Sequence, residues 1–128
     1  MAAGPVMTRS TRQVGDDAEA LAERFLTRRG YRILARNYRT RMGEIDLIAQ
    51  HRDSLVFIEV KARRTGRYGS PKMAITPSKK RKLTAVAQWY LKQTQQSGVR
   101  ARFDVVAVHG ITADADIELV QNAFSISY

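Results

Sequence analysis

The sequence predicts a single α/β domain, a mixed β-sheet flanked by helices, and three observations carry that expectation. The chain has 128 residues, enough for one domain with its own core. Two stretches repeat apolar residues at helical spacing, whereas five others read as short strands. The two central strands, residues 44–50 and 55–62, are apolar on one face throughout and on the other face only toward the turn between them. That is the pattern of a sheet buried on one side and partly covered on the other, as in layered α/β domains.

Residues 1–13, MAAGPVMTRSTRQ, lack the continuous apolar core of a signal peptide and read as a mobile tail ahead of a domain over residues 14–128. From Asp16 onward, Ala18, Leu21, Ala22, Phe25 and Leu26 form the stripe of a helix packed on a core. Asp16 or Asp17 caps its start and Gly30 its end. Glu19 lies beside the stripe, either as a first-turn acid, which periodicity favours, or as a carboxylate leaning toward the sheet. Residues 31–36 alternate and read as a strand, and the polar stretch 36–41 leads into Gly43.

The strands 44–50 and 55–62 are joined by the polar tetrad His51-Arg52-Asp53-Ser54. With the turn centred between Arg52 and Asp53, paired positions sum to 105, which sets Asp46 across from Glu59 and Glu44 across from Lys61 on one face. The opposite face carries Ile45, Leu47 and Ala49 with Val56, Ile58 and Val60. A slip of one residue would push the carboxylates into the core, so the hydrophobic pattern specifies this register.

Gly66, Gly69 and Pro71 mark residues 64–71 as a loop. Thr76-Pro77-Ser78 then starts a second helix, with threonine as cap and proline at the first helical position. Its stripe, Leu83, Val86, Ala87, Tyr90 and Leu91, faces the core, Trp89 lies off it, and the helix ends near Ser97-Gly98. Residues 102–109 read as a mostly buried strand and 117–120 as a last short one. His51 and His109 are isolated, without metal-ligand spacing, and read as turn residues.

Charge narrows the partner. Lys and Arg number 22 against 12 Asp and Glu, a net charge of +10 that attracts polyanions. Between Lys61 and Lys82 every charged residue is basic. Arg63, Arg64, Arg67, Lys79, Lys80 and Lys82 are the candidate phosphate contacts, and Tyr68 among the arginines is either a stacking surface for a base or part of a solvated loop. Nucleic acid is the expected partner. A membrane partner is not expected, since the termini carry no lipidation motif and no run approaches the ~20 apolar residues of a span. The absence of cysteine excludes a disulfide scaffold, thiolate zinc sites and cysteine nucleophiles, and fits the cytoplasm.

Two carboxylates about 5 Å apart repel by roughly 1 to 3 kcal/mol, which a hard divalent ion offsets. Mg²⁺ takes one or two carboxylates, waters and phosphate oxygens, so Asp46 and Glu59 are candidate ligands for Mg²⁺, or for Mn²⁺ in its place. Lys61, two residues beyond Glu59 on the same face, can orient the attacking water and stabilise transition-state charge. Together these parts describe metal-assisted phosphodiester hydrolysis. The pattern alone equally allows a Glu44–Lys61 cross-strand ion pair with Asp46 and Glu59 as exposed strand residues. Gly66 to Ser70 lacks the ending of a phosphate-binding P-loop, and no nucleophile-elbow motif occurs.

Asp46 followed by Glu59-Val60-Lys61 on the next strand resembles the Asp…Glu-x-Lys signature of restriction-endonuclease-like nucleases, including archaeal Holliday-junction resolvases. More closely, Gly15 and Glu19, the run Gly43 to Ile48, the run Phe57 to Arg63, Tyr68-Gly69-Ser70-Pro71 and Asn122-Ala123-Phe124 are similar to the YraN family of small bacterial proteins, over residues 15–124. Ile45 stands where the nuclease signature often has proline, a departure shared with that family. The resemblance implies a restriction-endonuclease-like αβββαβ core and a nuclease activity. It implies that Asp46 and Glu59 bind metal, that Lys61 positions water, and that Glu19 is an additional catalytic acid. DNA is favoured over RNA as the substrate, and a homodimer is an open expectation because junction resolvases of this fold act as dimers. The alternative is a module of the same fold that binds nucleic acid without cutting it.

Overall fold

The computed structural model describes residues 11–63, 75–110 and 114–125. Its elements follow in the order α1 (Thr11–Arg28), β1 (Arg32–Thr40), β2 (Gly43–His51), β3 (Ser54–Arg63), α2 (Pro77–Gln93), β4 (Ala101–His109) and β5 (Asp116–Phe124). The five strands form one sheet in sequence order, antiparallel except for the β3–β4 pair. Because β3 and β4 are parallel, the chain must cross back between them, and α2 lies in that crossover. The result is a mixed sheet with a helix on each face, and it contains the expected αβββαβ core followed by one more strand.

Each helix covers the face its stripe specifies. Ala18, Ala22 and Leu26 of α1 bury against Leu47, Ala49, Val56 and Ile58. Leu83, Val86, Ala87 and Leu91 of α2 bury against Ile48, Leu55, Phe57 and Phe103. Trp89, off that stripe, remains 43% exposed. No helix among the described residues is long and apolar enough to cross a membrane.

Several boundaries differ from the sequence reading. Helix α1 begins at Thr11, inside the stretch assigned to the tail, so Asp16 and Asp17 lie within the helix instead of capping it. Strand β1 runs on through the polar stretch to Thr40, because its pairing with β2 satisfies the backbone whatever the side chains. Strand β5 spans Asp116–Phe124 where only 117–120 was expected. Helix α2 starts as expected, with Thr76 Oγ1 accepting the Lys79 N–H at 3.1 Å and Pro77 in the first turn, but ends at Gln93.

Gly30 ends α1 as expected, with φ at +89°. The Gly30 N–H donates to the Thr27 carbonyl and the Tyr31 N–H to the Leu26 carbonyl, a Schellman closure in which Tyr31 packs into the same core as Leu26. Gly30→Ala is expected to cost about 1 to 2 kcal/mol through left-handed strain, read as a lower urea midpoint.

The β2–β3 register is the predicted one: Leu47↔Ile58, Ile48↔Phe57, Ala49↔Val56, Gln50↔Leu55 and His51↔Ser54 all sum to 105. The ladder stops at Leu47↔Ile58, short of Asp46 and Glu59. Beyond it β2 turns over. Ile45, expected on the Leu47 face, joins the α2 core with Ile48, while Leu47 stays under α1. On the other neighbour, Asn37 falls opposite Asp46, between Arg36↔Leu47 and Tyr38↔Ile45, with φ at +51°. The pairing of β2 with both neighbours is thus interrupted at Asp46.

Candidate functional site

Where the ladder opens, a side chain replaces the missing backbone partner: the Val60 N–H donates to Asp46 Oδ2 at 2.8 Å. This contact draws the Asp46 carboxyl group between the two strands. There it meets Glu59, which is only 7% exposed and close enough for its charge and its side chain to act on the Asp46 carboxyl group. Asp46 and Glu59 are therefore brought together as expected, although not as a ladder pair.

Burial and the neighbouring Glu59 charge push the Asp46 carboxyl up to about 8 from its ordinary 3.8, against the opposing Val60 hydrogen bond. Glu59 Oε2 is buried and makes no hydrogen bond among the described residues, but it is ion-paired with the Lys79 ammonium, 3.3 Å away. A buried carboxylate oxygen held by a single ion pair and no hydrogen bond is costly to bury, and a cation offsets that cost. Two carboxyl groups are a donor set from which Mg²⁺ or Mn²⁺ could be held, with waters and phosphate oxygens to complete its shell. Among the described residues no group of three or more acidic or histidine side chains forms a fuller metal cage.

Glu19 lies in the cleft between α1 and the β1–β2 hairpin, a space of about 630 Å³ that Asp46 and Glu44 also line. Burial first, then the Glu44 and Asp16 charges, push its carboxyl upward. With its amide turned to satisfy both, Asn37 donates to Glu19 Oε1 at 2.9 Å and to Glu44 Oε1 at 3.0 Å. Glu19 thus repels Asp46 electrostatically without joining Asp46 and Glu59 in one cage.

Glu44 is not across from Lys61. With the β2–β3 ladder ended, it pairs instead with β1, opposite Arg39, whose Nε lies 3.5 Å from its Oε1. Lys61 remains two residues beyond Glu59 on the same face of β3, half-buried and in register with Ala107. Arg63 is half-buried at the end of β3. Lys80 lies over the Phe124 ring at 5.6 Å and Lys82 is exposed on α2. Arg64, Arg67 and Tyr68 lie outside the described residues.

Sequence reasoning missed a second polar centre under α1, toward the β2–β3 turn. Asp104 is fully buried. It accepts from Tyr31 Oη at 2.7 Å, from Arg102 Nε at 3.0 Å and from the Asn122 N–H at 2.9 Å. His51 is not a free turn residue: it is buried, stacks on Tyr31 at 4.1 Å between centroids, and lies 2.7 Å from Arg102 Nη2 through Nδ1. Burial and then the Arg102 charge push the His51 pKa down. This network ties the chain after α1 to β2, β4 and β5, a structural role. The signal available for it was an aspartate inside an otherwise apolar strand, two residues from an arginine. His109 also has a partner, with Nε2 3.2 Å from Glu118 Oε1.

The model of an uncharacterised protein family, UPF0102, matches residues 18–108. A UPF0102 protein of Desulfosudis oleivorans is 55% identical over 92% of this chain and 94% of its own length. One of Symbiobacterium thermophilum is 50% identical over 89% of this chain and 98% of its own. Among solved structures, Pyrococcus furiosus SfsA in complex with Ca²⁺ is matched with a TM-score of 0.36 at 17% identity, over 88% of this chain. The match spans 62% of the SfsA chain and is too slight to bear on fold or chemistry.

Proposed function

The chain belongs to the UPF0102, or YraN, family, and for this member we propose a divalent-metal-dependent nuclease that hydrolyses phosphodiester bonds, with DNA as the first substrate class to test. The observation that carries the reading is the Asp46–Glu59 pair, two neighbouring carboxyl groups where the β2–β3 ladder ends, one of them buried and raising the pKa of the other. Mg²⁺ or Mn²⁺, held by Asp46 and Glu59, supplies Lewis-acid polarisation of a phosphoryl oxygen. Lys61 holds the attacking water by its ammonium group and faces the charge that grows on the phosphate. Glu19, across the cleft, raises the local negative potential that favours a cation. Arg63, Lys80 and Lys82, with Arg64, Arg67 and Tyr68, hold the nucleic acid strand through phosphate contact and stacking.

A net charge of +10 supports polyanion binding whether or not cleavage follows. The two readings separate in one panel of labelled linear, branched and single-stranded DNA and RNA, with Mg²⁺, Mn²⁺ or EDTA, for the wild type and Lys61→Ala. The nuclease reading expects metal-dependent cleavage lost in Lys61→Ala with binding retained. Salt-sensitive binding that is indifferent to chelator, with no cleavage of any substrate, identifies a binding module instead.

A further inference from the structure

We propose that Lys79 is a built-in counter-ion of the Asp46–Glu59 site, which holds the cation position against a divalent ion until a phosphate draws it away. The inference rests on the metal reading of that site. Its geometry is local: Lys79 Nζ lies 3.3 Å from the buried Glu59 Oε2, an ion pair on an oxygen that makes no hydrogen bond among the described residues. An ammonium is a compact point charge on a flexible stem, so it neutralises a carboxylate without fixing it in a bidentate grip.

The two ends of the Lys79 side chain are under different constraints. Its backbone is pinned, since its N–H donates to Thr76 Oγ1 at 3.1 Å in the cap of α2. The side chain is 44% exposed and can leave Glu59 without disturbing the helix.

The position of Lys79 in the helix gives a second, independent observation. Helix α2 starts with a run of basic residues, Lys79 to Lys82, and has no acid in its first turn. Cations at a helix N-terminus face the positive end of the backbone dipole. For Lys79 the buried Glu59 carboxylate offsets that cost. A bound phosphate would offset it equally well, so Glu59 and a nucleic acid backbone compete for one ammonium. When phosphate takes Lys79, Glu59 is released for the divalent ion, and by linkage each ligand strengthens the other.

Calorimetric titration of Mn²⁺ into the full-length, chelator-treated protein tests the first half. Lys79→Gln is expected to bind Mn²⁺ about fivefold or more tightly than the wild type, the lower end of usual coupling strengths. Lys79→Arg, which keeps the charge, should stay near the wild type. Equal or weaker Mn²⁺ binding by Lys79→Gln, or equal tightening in Lys79→Arg, overturns the counter-ion role while leaving the metal reading intact. Absence of Mn²⁺ binding in both the wild type and Lys79→Gln removes the metal reading and this inference with it.

The second half is a double-mutant cycle on the anisotropy of a labelled DNA duplex in EDTA. Glu59→Gln frees Lys79 and should tighten duplex binding, and that gain should vanish in the Lys79→Gln background. A gain that persists there, or no gain at all, overturns the competition for Lys79.

Discussion

Asp46→Asn is expected to abolish Mn²⁺ binding and to lower metal-dependent cleavage by at least about 100-fold, the scale on which the loss of one electrostatic contact to a transition state is felt. The same substitution should make the metal-free protein more stable near pH 8. Asparagine keeps an oxygen for the Val60 N–H, now at 2.8 Å from Asp46 Oδ2, and its amide N–H can donate to Glu59. What it removes is a carboxyl group forced against another carboxyl group.

The sign follows from where the proton is held. The folded Asp46 carboxyl releases its proton near 8, whereas an unfolded one does so near 3.8. Between those values the folded state binds more protons than the unfolded chain, so the stability of the metal-free wild type is full below the window and falls as pH rises through it. Asp46→Asn carries no such proton and should show a flatter profile. Mn²⁺ takes the proton's place, so the wild type should regain stability near pH 8 when the ion is added, by mass action on the folded state. Thermal melts followed by circular dichroism, in EDTA and in Mn²⁺, at acidic pH and near pH 8, read all three effects. Wild-type melting that rises with pH in EDTA would sink the account of the carboxyl pair.

The largest stability loss is expected at Asp104. Asp104→Ala should cost about 3 to 5 kcal/mol, because it leaves a charge unpaired at a buried site. Three donors lose their acceptor together: Tyr31 Oη, the Arg102 guanidinium and the Asn122 N–H. Arg102, whose side chain is 19% exposed, cannot recover full hydration in place. Asp104→Asn keeps one acceptor oxygen and should cost less. Urea denaturation should show a lowered midpoint with an unchanged slope, since the same surface unfolds. A loss in Asp104→Ala below about 1 kcal/mol, the level of an ordinary hydrogen bond, would mean that the network is not a keystone of the fold.

The extent to which these features could be read in advance follows the range of the interactions that make them. The stripes of α1 and α2 are set by neighbours three and four residues apart, and both helices lie where their periodicity indicates. The β2–β3 register is set by a turn of two residues, and the sum of 105 holds along the whole observed ladder. Asp46 and Glu59 could therefore be brought together by arithmetic. That they do so outside the ladder, with Asp46 bonded to the Val60 N–H, depends on β2 turning over where Asn37 of a third strand lies opposite. No pattern within β2 and β3 contains that strand.

The sequence by itself determined the helices, the central hairpin, its register and the identity of the two carboxylates that meet, because each is specified by residues near one another in the chain. Only the tertiary structure decided what surrounds them. Lys79 reaches Glu59 because α2 crosses the sheet, Glu44 turns to Arg39 because β1 is its neighbour, and Asp104 is buried because Tyr31, 73 residues earlier, donates to it. The physical reason is the same in all three: a charged side chain takes its environment from whichever element the fold packs against it, and a charge at a strand position does not say what that element will be.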